Sequence, residues 1–367
     1  MATATLDPIY KELAKIMNME HSETMQKILA KLASPEQAKI VLELPNPPEE
    51  IAKKLNISKE KVESTIQELV EKGLVVLTKR GAKMARSEGQ LHDLQTNKKF
   101  DKELGKEYWS LWRQLLLEER PERLKKRAEQ KSPTGRIIPR LGAVKDIPGI
   151  MPFEDVREIL KAHQPVAVIP CACKRVNEET RSCGLPDETC IIFGNTATFN
   201  LNARKTGRQL TYDEALKLIE KLDQYPVVHL VPNMRDVSLL LCNCHGDCCD
   251  VMIPYLDEKT GKISKKMSDL WKKTHAPSRF VATVDTTKCR SCKLCVTTRC
   301  QFGASEFKLY PELDAERAYV DPQFCMGCGV CVITCPGKAR TMKLVRPPEH
   351  VPAELGRTFW SGDSAGT

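Results

Sequence analysis

Apolar positions in the first part of the chain are spaced for helices. Over residues 35–86 they predict three short helices and a hairpin. Pro35–Leu44 makes the first helix, and Glu49–Leu55 the second, with Ile51, Ala52 and Leu55 on one side. Asn56-Ile57-Ser58 is a turn. Ser58 caps a third helix that runs to Lys72 along a stripe of Val62, Ile66, Leu69 and Val70, and Gly73 stops it. Leu74–Thr78 reads as a strand and Lys79–Arg86 as its return. Residues 91–146 hold another helical stretch, in which Trp109, Trp112, Leu115 and Leu116 share a face; a Pro/Gly-punctuated linker then runs from Ser132 to Pro152. From 150 to 280 the pattern alternates. A helix is predicted at Pro152–Ala162 and a strand at Pro165–Pro170. The capping box Thr211-Tyr-Asp-Glu214 announces a second helix, and strands follow at Val227–Val231 and Val237–Leu241. The expected fold is α+β and multidomain. A helical unit spans 1–90, a helical segment and linker 91–149, an α/β cysteine-rich domain 150–280, a small domain 281–345 and a flexible tail 346–367.

Composition sharpens this. Of 367 residues, 41% are hydrophobic and 29% charged, which excludes a disordered or collagenous chain. Aromatics are only 5%, so aliphatic side chains must build the cores. No apolar run approaches the roughly 18 residues that cross a bilayer. Asp7, Lys11 and Glu12 stand where a secretion signal would be apolar, so a reducing cytoplasm is the expected compartment. There the sixteen cysteines point to metal rather than disulfides. They fall in four groups of four: Cys171, Cys173, Cys183 and Cys190; Cys242, Cys244, Cys248 and Cys249; Cys289, Cys292, Cys295 and Cys300; Cys325, Cys328, Cys331 and Cys335.

The last two groups are the most specific. Residues 325–336 read C-x2-C-x2-C-x3-C-P and residues 289–300 read C-x2-C-x2-C-x4-C. Three thiolates on one short loop each reach a different iron of a cube, and the fourth corner comes from elsewhere. Zinc sites arrive instead as two separated C-x2-C pairs. Residues 281–345 resemble the bacterial dicluster ferredoxin domain. The resemblance implies two [4Fe-4S] clusters, one held by Cys289, Cys292, Cys295 and Cys335, the other by Cys325, Cys328, Cys331 and Cys300. It implies electron relay and no bond-making chemistry. Gly327 and Gly329 are expected to let backbone amides approach the sulfurs, and Pro336 ends the loop. The first motif departs from the family: four residues precede Cys300, and Gln301 stands where proline is usual.

The central cysteines each begin where an apolar strand ends, the edge at which open α/β sheets bind ligands. The loop of Cys171, Cys173, Cys183 and Cys190 reads as a third iron–sulfur site, with structural zinc as the alternative. The CNCHGDCC segment with Cys242, Cys244, Cys248 and Cys249 reads as a fourth cluster, part of an unusual cluster, or ligands shared with the first loop. Adjacent Cys248 and Cys249 point different ways in most backbones. His229 and His245 are candidate ligands, although a histidine beside an apolar strand is more often a satisfied structural residue. The run from PCACKR through CGLPDETCIIFG, RQLTYDEA and VVHLVPN to CNCHGDCC, with ferredoxin motifs behind, resembles multi-cluster iron–sulfur electron-transfer proteins of anaerobic bacteria and archaea over about residues 90–345.

Residues 35–86 resemble a winged helix, and IAKKLNISKEKVESTIQELVEKGLV the helix-turn-helix of bacterial regulators. The charges speak against DNA. The third helix, which would enter the major groove, has Lys59, Lys61 and Lys72 against Glu60, Glu63, Glu68 and Glu71, and no arginine to read guanine. Lys79, Arg80, Lys83 and Arg86 make the hairpin the more basic part. Docking to protein is the favoured use. The formal charge of +9 is partly compensation, because a [4Fe-4S] core with four thiolates carries about −2. Residues 281–345 hold nine Lys/Arg against six Asp/Glu, a surface that would steer an acidic redox partner.

The reading is therefore a cytoplasmic multi-cluster electron carrier, a subunit or dedicated donor or acceptor of a larger redox complex. The alternative is a redox-responsive transcription regulator using the winged helix. A third reading is an enzyme centred on CNCHGDCC. No catalytic residue is assigned: the sequence has no dinucleotide-type glycine loop, no P-loop and no hydrolytic triad.

Overall fold

The computed structural model describes residues 6–179 and 181–354. It mixes helix and sheet as an α+β protein, and no described helix is long and apolar enough to cross a membrane.

The N-terminal part forms the predicted elements. Helices run Pro35–Leu42, Pro48–Leu55 and Lys59–Lys72, the last capped by Ser58 and closed by Gly73 at φ +85°. Strands β1 (Val75–Thr78) and β2 (Gly81–Met84) pair antiparallel through a two-residue turn. Two further helices, Ile9–Lys15 and Glu23–Leu32, precede them. Helix Asp101–Glu118 does not belong to a separate segment. Its Tyr108, Trp112 and Leu115 join Leu13, Met25, Ile28, Leu32, Leu69 and Val70 in one buried core, so the expected division at residue 90 crosses a packed interior.

The centre is a seven-stranded sheet. Its strands are β3 (Gly135–Ile138), β4 (Val166–Pro170), β5 (Glu188–Phe193), β6 (Arg208–Leu210), β7 (Val228–Pro232), β8 (Leu240–Cys244) and β9 (His275–Ala276), in the order β6-β4-β5-β8-β7-β3-β9. Every pairing is antiparallel except β3 with β9. Two expectations are corrected here. Gly135–Ile138, read as linker, is an interior strand with all four residues buried. And the argument from open parallel sheets does not apply, since ligand sites at a topological switch point belong to parallel strands. Period-two alternation does the positioning instead. Val166, Val168, Ile191, Val231 and Leu241 face helices Val156–Ala162 and Tyr212–Leu222. Their neighbours Ala167, Ile169, Cys190 and Ile192 face the other way. Strand β8 extends past the expected Leu241, so Cys242 and Cys244 lie within it.

The C-terminal part contains β10 (Phe280–Val284) paired with β13 (Arg340–Leu344), and β11 (Ser305–Tyr310) paired with β12 (Ala315–Val320). The tail expected to be free after Pro347 is anchored at its start. Val351 is buried in the core of the central sheet, and its carbonyl accepts from Arg235 Nε at 3.1 Å. Residues 355–367 lie outside the described residues.

Arg204 ties the N-terminal core to the centre. Its guanidinium is fully buried and bonds Val70 O at 3.3 Å, Thr96 Oγ1 at 3.0 Å, Asn200 Oδ1 at 2.8 Å and Leu94 O. A lysine cannot reproduce that fork. Arg204→Lys is expected to destabilise the protein by about 2–4 kcal/mol, because buried carbonyls lose their donors; denaturant unfolding followed by circular dichroism measures this.

Candidate metal centres

The strand register brings the central cysteines together. Ile191 pairs with Leu241 and Ile192 with Leu240, and the same register continued sets Cys190 opposite Cys242 on the face away from the helices. Cys171 follows β4 directly, with its N–H held by Asp187 O at 3.0 Å; Cys173 lies on the short helix Ala172–Val176 that begins there. Cys249 is presented by the turn after β8, where its N–H donates to His245 O at 3.0 Å. Six thiols close a ring of contacts: Cys171 with Cys173 and Cys190, Cys190 with Cys242, Cys242 with Cys244, Cys244 with Cys249, and Cys249 with Cys173. Cys183 and Cys248 are not in the ring. They form a separate pair, Sγ to Sγ 3.7 Å. The groups of four in the sequence thus become six and two in space, and neighbours Cys248 and Cys249 take different partners.

Charged groups surround the ring. Lys174 is buried; burial opposes its charge, but Cys171, Cys190, Cys248 and Cys244 raise its pKa and keep it protonated. Its Nζ donates to Thr189 Oγ1. Beside Cys173 lies a buried pair, His92 Nε2 to Asp250 Oδ2 at 2.8 Å, and the donor atoms of all three lie within 4.8 Å of one another. Burial alone would discharge His92, yet Asp250 and Asp93 raise it to about 10. Next to the separate pair, His245 Nδ1 meets Asp247 Oδ1 at 2.6 Å. The Cys248 thiol and His245 lower Cys183 to about 5 despite its burial. His229 sits away from these thiols: its Nδ1 bonds Asn243 Oδ1 at 2.7 Å, and burial, helped by Arg140, lowers its pKa so that it stays neutral.

The C-terminal cysteines line two cavities. The first, about 410 Å³ with its mouth, is bordered by Cys289, Cys292, Cys295 and Cys335. The second, about 330 Å³, is bordered by Cys300, Cys325 and Cys328. Cys331 borders both. The first cavity thus presents five thiols and the second four, drawn from two loops, enough donors for [4Fe-4S] ligation. Backbone amides face the sulfurs, for example Ala318 N to Cys289 Sγ at 3.5 Å. Buried Arg340 spans the two cavities. Burial opposes its charge, but Cys331 and Cys295 beside it raise its pKa, and its Nη1 donates to Ser305 Oγ at 3.1 Å.

Two local expectations change their reason. Gly327, at φ +70°, is required by packing, since a Cβ there would lie 2.1 Å from both Phe280 O and Ser278 Oγ. Gln301, in the usual place of proline, is a tether. Its Oε1 accepts from Gly246 N at 2.5 Å, and its Nε2 donates to Pro226 O and, at 3.5 Å, to Cys244 O. The residue that breaks the family pattern therefore joins the C-terminal domain to the central cysteine turn. Cys300 and Cys328 also share one apolar cluster with Cys242, Cys244, Cys249, Phe302 and Met326. Sequence reasoning assigned no role to Lys174, although it lies in PCACKR, and missed His92, Asp250 and Arg340, which belong to no cysteine motif.

Residues 318–341 match the family of 4Fe-4S binding domains. No curated protein and no solved structure matches the chain. The match and the cysteine-lined cavities together define an iron–sulfur protein that binds [4Fe-4S].

Gly327→Ala is expected to lose iron relative to wild type, because the Cβ displaces the loop carrying Cys325 and Cys328. Gly261→Ala carries the same left-handed backbone strain, at φ +63°, but its Cβ meets nothing within 4 Å, so it is the matched control that should keep its iron. Iron and acid-labile sulfide assays on anaerobically purified protein check the pair.

Proposed function

We propose that this chain is an electron-transfer protein relaying single electrons, working as a subunit or dedicated donor or acceptor of a larger redox complex. The observation that carries the reading is the pair of adjoining cysteine-lined cavities, which share Cys331, packed against a third convergence of thiols. When bound, a [4Fe-4S] cluster takes or gives one electron with little change of geometry.

In this proposal Cys289, Cys292, Cys295 and Cys335 hold one cluster and Cys325, Cys328, Cys331 and Cys300 another. The central ring of Cys171, Cys173, Cys190, Cys242, Cys244 and Cys249 holds one further iron–sulfur group. Six gathered thiols favour the reading in which the CNCHGDCC segment shares its ligands with the first loop over a separate fourth cluster. The chain's other residues insulate and tune. Phe302, Met326 and Met252 keep water out between the ring and the second cavity. Lys174 and Arg340 supply buried positive charge.

Burial suggests the end at which a partner docks. Cys292 is exposed, Cys325 is buried, and Cys171, Cys244 and Cys249 are buried in the centre. Around Cys292 the side chains of Lys288, Arg290, Lys293 and Lys338 are exposed, a cationic rim suited to an acidic redox protein. The N-terminal unit, of winged-helix type, is proposed as a docking module. The C-terminal half of helix Lys59–Lys72 is engaged by this chain itself: Gln67 Nε2 donates to Ala203 O at 3.0 Å, Glu71 pairs with Lys99 at 2.6 Å and Lys205 at 2.7 Å, and Lys72 with Glu103 at 2.6 Å. The N-terminal turns, which in a helix-turn-helix meet the base edges, stay exposed but set Lys59 and Lys61 against Glu60 and Glu63 and carry no arginine.

Anaerobically purified protein should contain at least about eight irons with matching sulfide per chain, and electron paramagnetic resonance after reduction should show interacting clusters. Fewer irons, or sequence-selective duplex binding that depends on the clusters, would replace this reading with another. Arg340→Met should lower the reduction potentials of the C-terminal clusters by on the order of 50–100 mV, since a lost buried cation penalises the more negative reduced state by about 1–2 kcal/mol; protein-film voltammetry reads the shift.

A further inference from the structure

Cys183 and Cys248 are left over by the central ring, and their spacing is informative. A disulfide would bring the sulfurs to about 2.05 Å. Two thiolates on different irons of a cube are separated by the iron–sulfur framework. Two thiolates sharing one tetrahedral ion, with metal–sulfur bonds of about 2.3 Å, stand about 3.8 Å apart. The structure has 3.7 Å.

A third donor is at hand. The ligand atoms of Cys183, His245 and Asp247 lie within 4.8 Å of one another. Asp247 Oδ1 meets His245 Nδ1 at 2.6 Å, while Asp247 Oδ2 accepts from Ser182 N at 2.7 Å and from Ser182 Oγ at 3.3 Å. A carboxylate held on both sides and bonded to one ring nitrogen is the arrangement that orients a metal-binding histidine through its other nitrogen. Cys248 is buried, whereas Cys183, His245 and Asp247 are half-buried, so the site is sheltered yet open to an entering ion.

We propose that Cys183 and the ring nitrogen of His245 left free by Asp247 bind one zinc ion, with Cys248, 3.7 Å from Cys183, as its second sulfur, Asp247 orienting the imidazole and the fourth position open to water. Two thiolates and an imidazole suit zinc, which is content with tetrahedral sulfur and nitrogen donors. The ion would clamp the loop around Cys183 to the turn that carries Cys248, outside the central ring. This site is independent of what the six-thiol ring holds.

The test uses the full chain purified anaerobically, with zinc and iron counted separately and the zinc environment read by X-ray absorption. About one zinc per chain is expected, with two sulfurs and lighter nitrogen or oxygen donors in its shell. The double variant Cys183→Ser/Cys248→Ser should lose the zinc and keep its iron. Asp247→Asn should keep the shell but bind zinc about 10–100-fold more weakly in chelator competition. Zinc-free wild type, a four-sulfur zinc shell, or iron lost with the double variant would overturn the assignment. Where the double variant does not fold, the absorption spectrum of the wild type decides alone. Low iron with this zinc shell intact would count against the electron-transfer reading and leave the zinc site standing.

Discussion

Converging thiolates repel one another, and this fold sets a buried cation beside each convergence. Lys174 faces the central ring, Arg340 lies beside Cys295 and Cys331, and Arg140, fully buried, pairs its guanidinium with Asp223 while its backbone N–H donates to Cys328 O at 3.0 Å. An unpaired buried charge costs several kcal/mol, so each cation tolerates its position only because negative charge gathers opposite it. The arrangement is reciprocal. The sulfurs need the cations to stay close, and the cations need the sulfurs to stay charged. That mutual dependence explains why the basic residues of a chain with net charge +9 are not all at the surface.

The second constraint is mechanical. Thiols that must meet an inorganic group at fixed spacing need rigid carriers. The chain uses two kinds. In the C-terminal domain the carrier is a tight loop, with positive φ at Gly327 and Gly329 allowing close approach to the Phe280 strand and to Ala143. In the centre the carrier is a sheet, whose antiparallel register decides which sulfurs face one another. Gln301 and the apolar cluster around Phe302 and Met326 bind the two carriers into one body. A relay of the proposed kind depends on that rigidity, because tunnelling partners must keep their separation while charge changes.

The two carriers also explain what was legible in the sequence. Loop spacing is local, so C-x2-C-x2-C could be read directly as a [4Fe-4S] motif, and residues 318–341 match that family; which thiol serves which cavity is not local, since Cys331 borders both. Helix caps at Ser58 and Thr211 were equally local and form as expected. Sheet register is not local. Cys190 meets Cys242 only because Ile191 pairs with Leu241 fifty residues on, and no window of sequence contains that fact. Strand β3 hid for the same reason: Gly135–Ile138 is short and flanked by Pro and Gly, and only its neighbours β7 and β9 make it a strand. His92 and Asp250 come from separate parts of the chain, and neither carries a motif.

The N-terminal unit is placed where it would feel the central site. Its His92 bonds Asp250 beside Cys173, and Arg175, on the helix that carries Cys173, stacks 4.2 Å from the Trp109 ring and pairs with Asp101. The Arg175 contacts run through the short helix Ala172–Val176, while His92 reaches Asp250 just past the turn that carries Cys248 and Cys249. Added negative charge at the proposed central group would tighten the hold on His92 and Arg175, and lost charge would loosen it. On the proposed reading, a partner docked on the N-terminal unit would reach the central thiols through Asp101 and Trp109, which hold Arg175 from either side of the break at Gly105.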